Sequence, residues 1–265
     1  MAHPNRLHNT SLLIFGGTSG IGLGIASMAL SNGAYVTISG STPAKVAAKV
    51  AELQSLYPTL PPEHVRGYAC DLADTENLED NLREVFEKVT EGGERKVDHV
   101  AFTAGDAVKL PKLAEVRVED VLAGFKVRLL SAVMIGKLLS TGRYMPASPR
   151  SSLTLTSGTN TLKPLPGWAV GAAWGAAIEG LGRGLAVDMK PIRVNVVAPG
   201  AIDTPLLQKF KAGVGEEVEK RFREEGSLMG VWGSVQDEAE AYGWFMRDWF
   251  VTGALAESNG GRMLV

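Results

Sequence analysis

The segment Leu13-Ile14-Phe15-Gly16-Gly17-Thr18-Ser19-Gly20-Ile21-Gly22 constrains this chain more than any other. An apolar run ends on Phe15, glycines stand at 16, 20 and 22, and a longer amphipathic stretch follows. Residues without Cβ let a strand turn directly into a helix while backbone N–H groups stay open to an anion. Glycines alone would mark only a tight turn, but in a strand–turn–helix setting they mark the phosphate-binding start of a nucleotide fold. Gly16, Thr18, Ser19, Gly20, Ile21 and Gly22 are therefore expected to line a pyrophosphate.

The rest of the chain alternates short apolar runs with longer amphipathic ones, the pattern of βαβ units around a parallel sheet. Strands are expected at Leu12–Phe15, Tyr35–Ser39, Val65–Ala69, Val97–Thr103, Leu153–Thr156 and Ile192–Val197, with a short last one at Met263–Val265. Helices are expected near Gly20–Ser31, Pro43–Leu56, Thr75–Val89, Val118–Thr141 and Gly167–Met189. Right-handed crossovers then give an α/β fold, a single-domain, Rossmann-like, doubly wound parallel sheet with helices on both faces. Residues 1–10 read as a tail and 11–265 as the domain. The charged, glycine-interrupted stretch 203–237 reads as an insertion able to form a substrate lid, with a helix at Glu216–Glu225.

Composition narrows the function. The 27 basic and 29 acidic side chains leave a net charge of −2, without the basic excess of a nucleic-acid protein. Cys70 is the single cysteine, and the four histidines (His3, His8, His64, His99) form no ligand-spaced pair, so no metal is expected. The polar start MAHPNRLHNT lacks the apolar core of a signal peptide and no run reaches membrane-spanning length. A soluble cytoplasmic protein, with neither nucleic acid nor membrane as partner, is the expectation.

An enzyme using NAD carries an acid after its second strand to hold the adenine ribose. Here the chain reads Ile38-Ser39-Gly40-Ser41-Thr42-Pro43-Ala44-Lys45, with no acid. Thr42 suits a helix N-cap and Pro43 the first helical position. Ser39, Ser41, Lys45 and that helix N-terminus form either a plain cap with a solvated lysine or a cradle for a 2′-phosphate. The second reading makes NADP(H) the cofactor.

Together with residues downstream, this chain resembles the short-chain dehydrogenase/reductase family over nearly its whole length. Cys70-Asp71-Leu72 stands where the family's Asp contacts adenine. Phe102-Thr103-Ala104-Gly105 replaces the family's Asn-Asn-Ala-Gly. Arg193-Val194-Asn195-Val196-Val197-Ala198-Pro199-Gly200, with Ile202 and Thr204, matches the segment flanking the nicotinamide. The resemblance thus assigns Asp71, Leu72, Thr103, Ala104, Gly105, Pro199, Gly200, Ile202 and Thr204 to the cofactor.

The catalytic positions depart from the family, which uses an Asn, a Ser and a Tyr-x-x-x-Lys. Ser157 occupies the serine position. Val170 stands where the tyrosine belongs, Trp174 where the lysine belongs, and Arg128 in place of the asparagine. None of the five tyrosines has a lysine four residues later. Reduction of a ketone needs a proton donor, worth roughly 10²–10⁴ in rate. An iminium carbon needs none, because hydride neutralises it. Tryptophans such as Trp168 and Trp174 also offer a face to a cation.

This departure resembles a narrower group, the fungal reductases of prenylated indole alkaloid pathways, some of which are also Diels–Alderases. Those bifunctional enzymes carry an Asp just before a Trp in the loop after the serine, whereas here Gly167 precedes Trp168. The expected substrate is polycyclic or cationic. Three readings stand: an NADP(H)-dependent imine or iminium reductase, with or without a cyclisation; a non-redox cyclase; or a nucleotide-binding scaffold.

Plainer roles stand beside these. Ser157 finishes a strand, Arg128 pairs with a neighbour, Trp174 fills space, and Trp168 lines either cleft or core. Lys163 and Asp106 are spare proton carriers or solvated charges. The glycines at 171, 175, 180, 182 and 184 imply close helix packing, and the resemblance implies a homodimer or homotetramer.

Overall fold

The computed structural model describes residues 3–105, 110–213 and 215–265. Seven strands form one parallel sheet in the order β3-β2-β1-β4-β5-β6-β7. They are β1 (Ser11–Phe15), β2 (Tyr35–Gly40), β3 (Val65–Ala69), β4 (His99–Phe102), β5 (Ser152–Thr156), β6 (Arg193–Val197) and β7 (Leu255–Ala256). Helices α1 (Gly20–Ser31), α2 (Pro43–Leu56), α3 (Leu78–Thr90), α4 (Val118–Phe125), α5 (Ser131–Ser140), α6 (Ala169–Asp188) and α9 (Val235–Arg247) cover it, while α7 (Pro205–Lys211) and α8 (Glu216–Glu225) lie in the expected lid insertion.

Alternation along β1 sorts the two cores. Leu12 and Ile14 join Ile25, Leu30, Tyr242 and Phe245 on one face, and Leu13 and Phe15 join Phe86, Leu138, Leu153 and Ile178 on the other. Both faces are buried, as a parallel sheet flanked by helices requires. The chain order reverses between β1 and β4, which opens the ligand crevice of such sheets at their C-terminal ends.

Three details differ from expectation. Met263–Val265 is not a strand: Arg262–Leu264 is a helical turn entered through Gly261 at φ +78°. The last strand comes earlier because Val196 N–H donates to Ala254 O and Ala198 N–H to Ala256 O. By Ser258 the chain has passed the end of the sheet and accepts only from Gly200 N–H. The helix expected over 118–141 is interrupted by a wide π turn, Lys126–Leu130, between α4 and α5. Finally, the N-terminal segment is packed rather than loose, for Leu7 is in the core and Arg6 donates to Arg247 O at 2.7 Å.

Candidate active site

The phosphate turn is held from both sides. Gly16 and Gly17 N–H both donate to Ser39 O at 3.0 Å, extending the β1–β2 pairing beyond the strands. Gly16 has φ +83°, and a Cβ there would lie 2.6 Å from Ala104 N and 2.8 Å from Thr103 Oγ1. Thr103 Oγ1 in turn donates to Phe15 O at 3.1 Å and leaves no room for a side chain at Gly22. Gly16, Gly22, Thr103 and Ala104 are therefore one interlocked unit joining the ends of β1 and β4. Ser19, the extended N-cap of α1, makes no side-chain cap bond, which leaves the first-turn amides beside Gly20, Ile21 and Gly22 to meet an anion. Thr18 is buried against Gly40, and Gly20 faces Thr204 with 3.2 Å between its Cβ position and Cγ2.

At the other end of the crevice Thr42 caps α2 by accepting from Lys45 N–H at 3.4 Å, with Pro43 in the first turn and no acid there. Ser41 and Lys45 are exposed, whereas Ser39 is buried. Cys70 N–H donates to Gly40 O at 2.9 Å, bringing Asp71 and Leu72 alongside. Asp71 uses one carboxylate oxygen to accept from Ala73 N–H at 2.9 Å. Burial, with Asp71 and Glu84 nearby, pushes the Cys70 thiol up to about 12, so it is not a nucleophile.

The segment after β6 is fastened to its surroundings. Thr159 N–H donates to Pro199 O at 3.0 Å, Gly200 packs on Asn259, and Ile202 pairs with Gly233. Arg193 and Asn195 are scaffold. The Arg193 guanidinium donates to the carbonyls of Pro149, Phe245, Met246 and Val251, and Asn195 Nδ2 donates to Val251 O while its Oδ1 accepts from Ala254 N–H. They hold α9 and the approach to β7 against the sheet.

Ser157 N–H donates to Val197 O at 2.8 Å, and its hydroxyl donates to Glu179 Oε1 at 3.0 Å. Glu179, on α6, is 6% exposed. Nothing in the sequence expectations singled it out, although it is the one charged residue of the Gly/Ala-rich run 169–182. Arg128 sits in the π turn, a feature often found at functional sites, and its guanidinium lies directly on Gly105. It thus reaches the loop after β4. Val170 is half-buried near the start of α6. Trp174 is 4% exposed, donates its indole N–H to Val121 O at 2.8 Å and covers Gly124. Trp168, the N-cap of α6, lies half-buried beside Gly171, and Leu110 approaches the same Cβ position of that glycine. The Lys163 ammonium donates to Arg262 O at 3.2 Å, tying the β5–α6 loop to the C-terminal segment. Asp106 lies outside the described residues.

A second buried network backs β5. Tyr242 and Thr156 share a 2.6 Å hydroxyl contact, and Thr156 donates to Phe102 O at 2.7 Å. One turn before Tyr242, Glu238 is fully buried, and burial raises its carboxyl to about 7. Ser258 lies close enough to temper that rise, but no hydrogen bond of good geometry reaches either oxygen. Among the described residues no cluster of His, Cys, Asp or Glu is placed to hold a metal, and no helix is long and apolar enough to cross a membrane.

The profile of the SDR-like Rossmann domain matches residues 3–265. The chain is 38% identical over 258 residues to the short-chain dehydrogenase/reductase malC of Malbranchea aurantiaca, covering 97% of this chain and 96% of that protein. The solved structure of the MalC reductase/Diels-Alderase from the same organism superposes with a TM-score of 0.90, covering 99% of this chain and 100% of that one. The short-chain dehydrogenase/reductase ATR9 of Stachybotrys chlorohalonatus is 33% identical over 97% of this chain and 98% of its own length. The glycine turn, the sheet order and this likeness agree from one end of the chain to the other, and the protein belongs to the short-chain dehydrogenase/reductase family of oxidoreductases.

Proposed function

We propose that this protein is an NADP(H)-dependent reductase of an imine or iminium ion in fungal alkaloid metabolism. The observation that carries this reading is the state of α6. The tyrosine position holds Val170, which has no proton to give, and the indole N–H of Trp174 is committed to Val121 O. A neutral ketone would be left without its proton donor, whereas an iminium ion requires none. The likeness to MalC, itself described as a reductase/Diels-Alderase, supports the same direction.

The crevice residues suit a dinucleotide with a 2′-phosphate. The interlocked Gly16–Thr103 unit and the α1 amides would take the pyrophosphate, and Ser41, Lys45 and the start of α2 the 2′-phosphate. When bound, the cofactor supplies a hydride. The chain's own work is to place the electrophilic carbon and to exclude water, with Trp168 and Leu110, which meet at Gly171, as walls.

The test is NADPH oxidation, followed separately with a cyclic iminium salt and a ketone of the same shape. Turnover of the iminium at least roughly 10²-fold above the ketone is expected, with NADPH preferred to NADH. Equal turnover of both substrates would sink the proposal. A cyclised product without NADPH consumption would establish the non-redox reading instead. Gly167, with open space at its Cβ position, stands where the resemblance to the bifunctional enzymes implies an Asp, and this is the reason reduction is placed first.

A further inference from the structure

Ser157 Oγ donates to a carboxylate, and this decides what the residue can offer a substrate. A serine hydroxyl has one proton and two lone pairs. With its proton given to Glu179 Oε1 at 3.0 Å, Ser157 Oγ has only lone pairs left to offer a further partner. A negative charge stands directly behind it. Glu179 is nearly enclosed and lines a small hollow together with Arg183, Val196, Gly253, Ala254 and Leu255.

The carbonyl-polarising role that a serine plays at this position in the family needs the opposite polarity, a proton aimed at the substrate oxygen. A carbonyl oxygen brought to Ser157 would meet an acceptor already supplied with its own acceptor, an unfavourable pairing for buried polar atoms. The N–H of a protonated imine would instead complete a chain in which nitrogen donates to Oγ and Oγ donates to the carboxylate. Both links are charge-assisted.

We propose that Glu179 sets Ser157 as a hydrogen-bond acceptor, and that this pair selects substrates carrying a positively charged N–H over neutral carbonyl compounds. The inference rests on the reading of the cleft as an imine site and names the charge state that the site takes. Glu179 acts through Ser157 and is a positioning residue. Arg128 lies against Gly105 on the loop after β4.

The experiment uses 15N-labelled isoquinoline, a planar base that NADPH does not reduce, with the full-length protein saturated with NADPH. The nitrogen resonance reports its protonation across a pH titration. In the wild type the bound probe should hold its proton to about one pH unit higher than in free solution, a tenfold preference for the cation. Glu179→Gln should return the probe to its free behaviour, and Glu179→Asp should restore part of the preference. Ser157→Ala, which removes the acceptor and leaves the helix intact, should lower the preference even if the Glu179 variants fold poorly. A bound wild-type probe that titrates as it does in free solution, or a preference surviving both Glu179→Gln and Ser157→Ala, overturns the proposal. NADPH oxidation by an iminium salt on the same samples separates the two readings. A probe held as the cation without turnover refutes the reductase and keeps the charge selector; turnover with a probe that titrates as if free refutes the selector alone.

Discussion

The indole N–H of Trp174 donates to the carbonyl oxygen of Val121 at 2.8 Å, and its ring lies on Gly124, where no Cβ would fit. The residue in the family's lysine position therefore ties α6 to α4, just ahead of the π turn that carries Arg128. Trp174→Ala should destabilise the protein by about 3–5 kcal/mol, the range for removing a buried aromatic ring. Trp174→Phe, which keeps most of the ring but removes the indole bond to the Val121 carbonyl, should cost about 1 kcal/mol. Denaturant unfolding of both variants checks this. Wild-type stability of Trp174→Ala would show that the ring is not a strut.

Gly16 is the most exacting position of the phosphate turn. Its φ of +83° already disfavours any side chain, and a Cβ would strike the Ala104 backbone, which cannot yield as a flexible side chain can. Gly16→Ala should push the β4 loop away from β1 and weaken NADPH binding by at least about tenfold, equivalent to about 1.4 kcal/mol. Titration of tryptophan fluorescence with NADPH, well below the variant's melting temperature, measures this directly. Unchanged affinity would mean that the turn does not carry the pyrophosphate.

The charge at Lys45 should set the choice between cofactors. It is exposed at the first turn of α2, where no acid competes for it. Lys45→Glu should weaken NADPH by about tenfold while leaving NADH unchanged, and the loss should shrink as salt is added. Binding titrations of the two cofactors at low and high salt distinguish this from a general disturbance of α2, which would weaken both alike.

The glycine turn was legible in the sequence because sterics leave few alternatives. A residue at positive φ beneath the Ala104 amide has to be glycine, and the apolar strand before it places the turn. The sheet was legible for a related reason, since strands buried on both faces read as continuous apolar runs. β7 was not, because two residues joined to β6 by backbone hydrogen bonds leave no side-chain pattern. The π turn around Arg128 was hidden too, since one wide turn barely disturbs the periodicity of the helix on either side. Arg193 and Asn195 were visible as a motif, but their backbone partners lie 44 to 59 positions away along the chain, beyond the reach of any local pattern. Glu179 and Glu238 are single acids whose partners, or lack of them, are set by tertiary packing.

Glu238 should make stability depend on pH. Its carboxyl, raised to about 7 from an ordinary value of 4.5 by burial, holds a proton in the folded protein that the unfolded chain releases near pH 4.5. Between those values the folded state binds more protons, so this group's contribution is full below about pH 4.5 and is lost as pH rises toward 7. The loss amounts to about 3–4 kcal/mol, since each tenfold change in proton affinity is worth about 1.4 kcal/mol. His99, buried against Ser152 and lowered to about 3 by burial and Arg193, acts with the opposite sign, its contribution being lost as pH falls below 6.5. The wild-type profile therefore blends the two, and a comparison isolates the glutamate. Glu238→Gln, neutral at every pH and nearly the same shape, should match the wild type near pH 4.5 and exceed it by about 3–4 kcal/mol at pH 8. Unfolding free energies of the two proteins measured at pH 4.5, 6 and 8 decide it: parallel profiles would show that Glu238 is charged or hydrated in the folded state and that burial does not govern its proton.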